Sequence, residues 1–358
     1  MVTGISKYTL SVARIACAVV VGSLFASHST LAEEPDRLAG IVEPVVATKP
    51  LKLGVTLVHL NDDFWKGIAY GIADEAKRSN VTVAQISIAG AYGNVTQQFS
   101  QIETLQSLGV DYVVLGAAAY KGYDPQLKRL KDAGIGVIAA GIPVDSKNVD
   151  FGVTQDDGAI GVGLAKEICG AAGSDNTGVI ALPGPAGAEW ARLRLDGFEQ
   201  GLKACPNVAL AKGAVTGGLE LEQGLTQASD MLQKNPDTKF IFTPVIPLGL
   251  GAAQAARQSG IQAQVVSATI VREALPLIKN DRLLALTSEP GILMGRLIVQ
   301  FAIRDHEKLS KGDEFKSQGM AYPTIFTNNA VITKTNVDSY GYDVYDLPPK
   351  DWSLNIKQ

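Results

Sequence analysis

Hydrophobic positions along the chain follow two alternating patterns from residue 51 onward. Short apolar runs rich in valine and isoleucine are typical of buried strands, and each is followed by a longer segment with the period of a helix. Residues 51–59 form the first predicted strand, and residues 64–78 the first predicted helix, with Phe64 and Ile68 on one face. This alternation predicts parallel sheets that are covered by helices on both faces.

The alternation continues almost to the end of the chain. The further predicted strands are 81–88, 111–115, 136–140, 178–183, 208–215, 240–245, 263–268 and 283–287. The further predicted helices are 95–108, 125–132, 158–171, 189–203, 219–234, 249–259, 271–279 and 291–305. The predicted strands are too many for one doubly wound sheet, and they outnumber those of an eight-stranded α/β barrel. Chains longer than roughly 250–300 residues also tend to divide into domains. We therefore expect an α/β protein with two lobes.

The first 32 residues have the pattern of a cleavable export signal. Basic Lys7 and Arg14 precede an apolar run, and Ala32 offers a site for signal peptidase. The apolar run of about 12 residues is too short for a bilayer, which needs roughly 20. We therefore expect a periplasmic protein. Residues 33–50 contain three prolines and no clear period, so they are expected to be a loosely held leader.

Composition narrows the classes of function. Of 358 residues, 46% are hydrophobic and 19% charged, and the formal net charge of −4 becomes −6 once Lys7 and Arg14 are removed with the signal. The apolar share excludes a disordered chain, and the lack of a basic excess argues against a nucleic-acid partner. No nucleophile motif, phosphate-binding glycine loop or metal-ligand spacing stands out. We expect no catalysis, no cofactor and no metal.

Two cysteines, Cys169 and Cys205, remain after the signal. Each closes a predicted helix at the same end of two successive βα units, which permits the short Cα separation that a disulfide requires. An oxidising periplasm favours the disulfide. Two buried free thiols are the alternative.

Polar and aromatic residues gather in loops that follow strands, where open α/β sheets bind ligands. Asp62, Phe64 and Trp65 follow the first strand, although capping of the helix also explains Asp62. Two adjacent aromatics cannot share one buried face, so one is expected in the core and the other in the cleft. The remaining candidate ligand-binding residues are Tyr92, Gln155, Asp156, Trp190, Arg192 and Thr269.

The run at 152–157 (GVTQDD), followed by Arg192 and then Gly197-Phe198, resembles type I periplasmic binding proteins over the whole chain from about residue 51. The resemblance implies two Rossmann-like lobes joined by a three-strand hinge, closing on a small molecule. It implies an N-terminal lobe of 51–154 plus 288–317 and a C-terminal lobe of 155–287 plus 318–358. Arg192 resembles the arginine clamp of the sugar binders.

Polar residues of the sugar-binding members are replaced here by Gly141, Val245-Ile246 and Thr269. Because each sugar hydroxyl needs a partner, this pattern disfavours a sugar. Phe64-Trp65 and the turn around Tyr92 resemble the TorT branch of the family, which senses trimethylamine N-oxide for a membrane histidine kinase. Aromatic faces attract diffuse positive charge. That branch has a tryptophan near the position of Gln155, and Trp190 is expected to replace its ring.

This resemblance implies a binding protein that signals to the periplasmic sensor domain of a histidine kinase. The alternative is the substrate-binding subunit of an ABC importer, which delivers a sugar or other small polar solute to a permease. The aromatic tail at 333–358 is expected to wrap a lobe or line the hinge, with a partner surface as the alternative.

Overall fold

The computed structural model describes residues 36–214, 218–313, 315 and 320–354, together with Met1 and Gly4. The predicted export signal, including its cleavage site, lies outside the described residues. In the part of the chain that the structure describes, no helix is both long and apolar enough to cross a membrane.

Strands and helices alternate along the chain. The strands are β1 Lys52–Leu57, β2 Thr82–Ile88, β3 Tyr112–Leu115, β4 Gly136–Gly141, β5 Phe151–Gln155, β6 Thr177–Ala181, β7 Val208–Lys212, β8 Thr238–Thr243, β9 Gln264–Ala268, β10 Leu283–Thr287, β11 Thr324–Thr327 and β12 Val331–Ile332. The helices are α1 Asp63–Arg78, α2 Val95–Ser107, α3 Asp124–Asp132, α4 Asp157–Ala172, α5 Glu189–Leu202, α6 Leu221–Lys234, α7 Ile246–Ser259, α8 Leu275–Lys279, α9 Gly291–Glu307 and α10 Tyr342–Tyr345.

These strands form two six-stranded sheets. The first has the order β2-β1-β3-β4-β5-β11, and every pair in it is parallel. The second has the order β7-β6-β8-β9-β10-β12, and only β12 is antiparallel to its neighbour. Each sheet is the centre of one lobe, so the predicted two-lobed α/β fold is confirmed.

The chain passes between the two sheets three times, after β5, after β10 and after β11. The second passage leads into α9, which packs against α1 and β4 of the first lobe. Gly291 at the start of α9 allows this contact, because a Cβ there would lie 2.4 Å from the carbonyl oxygen of Phe64. The close approach brings the β10–α9 crossover against the beginning of α1.

Two segments differ from their expected placement. Residues 36–50 are anchored at three positions: Leu38 and Ala47 are buried in the core of the first lobe, and the side chain of Gln300 bonds both the N–H and the carbonyl of Val45. In residues 318–358, expected in the C-terminal lobe, β11 pairs with β5 of the first sheet, where it covers an otherwise open edge.

The aromatic tail bridges the two lobes beside the hinge. Arg272 of the second lobe donates to the carbonyls of Leu347 and Pro348, at 3.3 and 2.9 Å. Arg296, on α9 against the first lobe, donates to the carbonyl of Val344 at 3.0 Å. The backbone carbonyls of the tail therefore accept hydrogen bonds from Arg272 of the second lobe and from Arg296 of α9.

Candidate functional site

A cavity of about 430 Å³ lies where the carboxyl ends of the two sheets face each other. Both lobes line it, through residues at or after the ends of β1, β2, β4, β5, β7, β8, β9 and β10 and through one face of α5. Of the sequence-predicted residues, those lining it are Asp62, Phe64, Trp65, Tyr92, Gln155, Trp190 and Thr269. The sheet-end position is where α/β proteins bind ligands.

Arg194 is the centre of a buried charged cluster at the back of this cavity. Its Nε donates to Asp157 Oδ1 at 2.8 Å, and Nη1 and Nη2 donate to the two carboxylate oxygens of Glu289 at 2.8 and 3.0 Å. Nη1 also donates to the carbonyl of Pro244 at 2.8 Å. These bonds use four of the five guanidinium N–H groups. The ring of Trp190 lies 5.0 Å from the guanidinium carbon, in cation–π range.

Close packing of α4 against α5 brings Asp157 and Arg194 together. A Cβ at Gly161 would lie 2.0 Å from the carbonyl oxygen of Arg194, and one at Gly197 would lie 2.0 Å from that of Gly158. Only glycine lets the two helix backbones approach so closely. The beginning of α4 and the first turns of α5 therefore present their charged side chains to the same cavity.

Glu289 also collects polar contacts from the hinge. Gln155 Nε2 donates to it at 2.9 Å, and the hydroxyl of Thr269 donates to it as well. Thr269 has φ of +73°, a conformation that costs a β-branched residue of order 1–3 kcal/mol. Asn329, on the third passage between lobes, donates to Gln155 Oε1 at 3.2 Å and to the carbonyl of Ser288 at 2.7 Å. All three passages therefore meet at this cluster.

The first lobe supplies an aromatic wall. Trp65 Nε1 donates to the hydroxyl of Tyr92 at 3.1 Å, and the ring of His59 stands edge-on to Tyr92 with centroids 5.4 Å apart. Contrary to the expectation of one core and one cleft aromatic, Phe64 and Trp65 are both buried, 8% and 0% exposed. Glycines at two strand ends make room for the rings: a Cβ at Gly141 would lie 3.1 Å from Phe64, and one at Gly116 would lie 2.5 Å from Trp65.

Electrostatics in the cavity are dominated by carboxylates. Desolvation raises the pKa of Asp62 to about 6, against the lowering effect of the Trp65 N–H that it caps at 2.9 Å. Desolvation also raises the pKa of Asp157 to about 6, although the charge of Arg194 opposes the shift. Burial lowers the pKa of His59, so this ring is neutral at pH 7.

Two predicted site residues lie outside the cavity. Arg192 is exposed on α5 and pairs with Glu189 and Asp196, because a helix turns about 100° per residue and position 194, not 192, faces the cleft. Asp156 caps α4, accepting from the Ala159 N–H at 2.9 Å, and is exposed. Its neighbour Asp157 enters the cavity instead.

The lining residues that sequence reasoning missed include five titratable ones: His59, Asp157, Arg194, Glu220 and Glu289. The helical period could have identified Arg194, because it lies four residues after the predicted Trp190 and therefore shares its face of the helix. Asp157 and Glu289 lie two residues beyond the ends of β5 and β10, so the expectation that ligands bind after strand ends, which selected Gln155, selects them as well.

A second cavity of about 380 Å³ continues from the first, and Asp157, Trp190 and Tyr92 line both. Its other walls are residues 117–120 and 142–143 of the first lobe and residues 185–189 of the second. Away from the cleft, the structure joins Cys169 and Cys205 in a disulfide with Cα atoms 5.6 Å apart. Within the described ranges, no group of three or more potential metal ligands is found.

Comparison with known proteins shows the family to which this chain is related. The sequence model of the periplasmic binding protein domain matches residues 53–305. The chain is 26% identical to the ribose import binding protein RbsB of Bacillus subtilis (strain 168), over 71% of this chain and 81% of that protein. It is 24% identical to the periplasmic protein TorT of Escherichia coli (strain K12), over 75% of this chain and 77% of that protein.

The fold also resembles a solved structure at higher identity. The substrate-binding protein of a sugar ABC transport system from Bordetella parapertussis 12822 is 50% identical, with a TM-score of 0.85 over 89% of this chain and 100% of that one. The match to the domain family covers well over half of the chain. This chain belongs to the type I periplasmic binding protein family.

Proposed function

We propose that this chain is the solute-binding component of an ABC importer and that its solute binds between the two lobes. The buried cluster of Arg194, Asp157 and Glu289 carries the proposal, because it lies on the wall of the cavity where the passages between lobes meet. A solute that contacts this cluster and the aromatic wall of the first lobe stabilises the arrangement in which the lobes are closed. The 50% identity to a protein named for a sugar ABC transport system supports transport.

The proposed cargo is a small polar solute of about sugar size. Proteins named for ribose import and for D-allose binding are among the relatives. The positions that disfavoured a sugar, 141, 245–246 and 269, are compensated by polar groups from Gln155, Asp157, Arg194 and Glu289. A cavity of about 430 Å³ is within the usual size range of small-molecule sites. Hydroxyl and amino groups on the solute therefore find hydrogen-bond partners there.

A periplasmic location is part of the proposal. It is supported by the export-signal pattern of the first 32 residues and by the disulfide between Cys169 and Cys205, since disulfides persist in oxidising compartments.

A second candidate function is sensing for a membrane histidine kinase. It is favoured by the identity to TorT and by the contact of Trp65 with Tyr92, which forms part of an aromatic wall. In this function the closed lobes engage the periplasmic domain of the kinase in place of a permease. Trimethylamine N-oxide, the expected ligand of such a sensor, is far smaller than the cavity, which favours the transport proposal.

A thermal-shift screen with sugars, polyols, amino acids, methylated amines and trimethylamine N-oxide tests both functions. Transport predicts stabilisation by a solute of sugar size, loss of uptake of that solute when the gene is deleted, and permease and ATPase genes beside it. A shift with trimethylamine N-oxide alone, unchanged uptake and a neighbouring kinase gene would favour sensing. If no compound raises the midpoint and deletion leaves uptake of every class intact, both functions are refuted.

A further inference from the structure

The cleft consists of two compartments of different character. The first, of about 430 Å³, contains the charged cluster and the aromatic wall, and the second, of about 380 Å³, extends away from it. They share Tyr92, Ile142, Asp157, Trp190 and Leu219. A solute that fills both compartments must therefore pass beside the carboxylate of Asp157.

Negative charge exceeds positive charge in the first compartment. Its described lining residues include four carboxylates, on Asp62, Asp157, Glu220 and Glu289, and one guanidinium, on Arg194. Arg194 is already engaged by two of these carboxylates and by a carbonyl. The cluster of Arg194, Asp157 and Glu289 thus keeps a formal charge of −1 when both acids are ionised, and Asp62 adds to it.

One oxygen of Asp157 lacks a partner. Oδ1 accepts from Arg194 at 2.8 Å and from Gln155 at 3.4 Å, whereas Oδ2 accepts no hydrogen bond from any described residue. The residue is only 6% exposed, yet it lines both cavities. Oδ2 is therefore open to the cavity and is not sealed inside the protein, so a donor on the solute can bond to it there.

The second compartment is apolar and has no cation. Its walls are mainly alanines at 117–119, prolines at 143 and 185, and Leu193, with aromatic rings from Tyr120 and Trp190. Its charged lining residues, in the described part of the chain, are the acids Asp157 and Glu189. A sugar ring would leave its hydroxyls facing methyl groups here, while a hydrocarbon arm would bury apolar surface.

We infer that the solute is an organic ammonium ion whose charged nitrogen lies against Asp157 in the first compartment and whose apolar arm enters the second. This inference rests on the proposed function, because it names the chemical class that the same cleft takes up. Trp190 and Tyr92 line both compartments, as Asp157 does, so aromatic side chains flank the junction that the solute crosses.

The negative charge of the cleft makes the affinity for an ammonium ion fall as the pH falls. Because desolvation raises the pKa of Asp62 and of Asp157 to about 6, both carboxyls lose charge as the pH falls through that value. The charged and titratable groups that face them are Glu289, Arg194, His59, Asp63 and Lys66. Affinity for an ammonium ion should therefore fall between pH 7.5 and pH 5, whereas affinity for a neutral solute should change little.

Calorimetric titration with matched probes tests the inference. The probes are butylamine and hexylamine, their alcohols 1-butanol and 1-hexanol, and D-ribose as a neutral polyol. We expect each amine to bind at least tenfold more tightly than its alcohol, hexylamine more tightly than butylamine, and both amines several-fold more weakly at pH 5. Asp157→Asn should weaken amine binding at least tenfold, and Asp156→Asn, which alters only a helix cap outside the cavity, should leave it unchanged.

Three results overturn the inference. They are equal binding of amines and alcohols, amine affinity that does not depend on pH, and binding of D-ribose in place of the amines. The pH series uses the unaltered protein, so it tests the inference even if Asp157→Asn fails to fold. Binding of D-ribose is compatible with the transport proposal. If no probe binds and gene deletion leaves uptake unchanged, the transport proposal is refuted too.

Discussion

Arg194 and Glu289 form a two-pronged ion pair, from Nη1 to Oε1 at 2.8 Å and from Nη2 to Oε2 at 3.0 Å. Arg194 belongs to α5 of the second lobe, whereas Glu289 lies on the crossover between β10 and α9. Side-on pairs of this kind fix geometry as well as charge. The pair therefore ties the crossover to the second lobe and sets the position of the carboxylates that line the cleft.

Removal of this arginine should be strongly destabilising. Arg194→Met leaves Asp157 and Glu289 buried without a counter-charge, and breaking a buried pair in this way costs about 3–5 kcal/mol. Arg192→Met, two residues earlier on the same helix, removes only exposed pairs and should stay within about 0.5 kcal/mol of the parent. Urea unfolding of the two variants gives both values, and similar losses would contradict the assignment of Arg194 to the cleft.

Loss of the disulfide should also lower stability. Cys169 and Cys205 are 36 residues apart, and closing a loop of that length in the unfolded chain is worth about 3–4 kcal/mol in the chain-entropy account. A Cys169→Ala/Cys205→Ala variant should lose about that amount in denaturant unfolding. Reductant should destabilise the parent to the same level and leave the variant unaffected. A parent that is insensitive to reductant and shows both thiols free would refute the bond.

Asp346 should make stability fall as the pH rises. Desolvation raises the pKa of Asp346 to about 7, although the hydroxyl of Ser288 donates to its carboxyl at 2.7 Å. The folded state therefore holds this proton up to about pH 7, whereas the unfolded chain releases it near pH 4. The stabilisation from this group is complete below pH 4 and is lost by about pH 8, a change on the order of a few kcal/mol.

Asp346→Asn should remove that part of the pH dependence, since an amide keeps the acceptor for Ser288 and carries no charge. The measurement is the free energy of unfolding of parent and variant from pH 4 to pH 8. Asp343→Asn, an exposed position in the same tail, is the matched control and should retain the parent profile. A slope that persists in Asp346→Asn would rule out Asp346 as its source.

The hydroxyl of Tyr92 should support the aromatic wall. Tyr92→Phe leaves the buried Nε1 of Trp65 without an acceptor, which costs about 1–3 kcal/mol. Tyr70→Phe removes a hydroxyl that makes no hydrogen bond to any described residue, so it should change stability by less than about 0.5 kcal/mol. Thermal unfolding compares the two, and a shift in tryptophan emission is expected for Tyr92→Phe alone.

Most of the fold could be predicted from the sequence because its elements are long and strongly patterned. The buried β4, for example, was expected at 136–140 and spans Gly136–Gly141, and α9 was expected at 291–305 and spans Gly291–Glu307. The pattern did not predict the strands β5, β11 and β12, and the two to four residues of β11 and β12 carry no period. Their pairing depends on which sheet edge is open.

The candidate site was predictable by region but not by side chain. Loops after strands located the cleft, whereas the choice between Asp156 and Asp157, or between Arg192 and Arg194, depends on the orientation of a helix to within one residue. The joint burial of Phe64 and Trp65 depends on space left by Gly116 and Gly141, which lie far from them in sequence. Such long-range packing is not readable from local pattern.

Titration of the solute found by the thermal screen, into the parent and Trp190→Ala, tests the cleft most directly. Trp190 lines both compartments and covers the guanidinium of Arg194 at 5.0 Å, so its loss removes contact area from any solute held there. We predict one solute per chain in the parent, the same affinity in Arg192→Met, and at least tenfold weaker binding in Trp190→Ala. Equal affinity in all three proteins would contradict binding in the cleft.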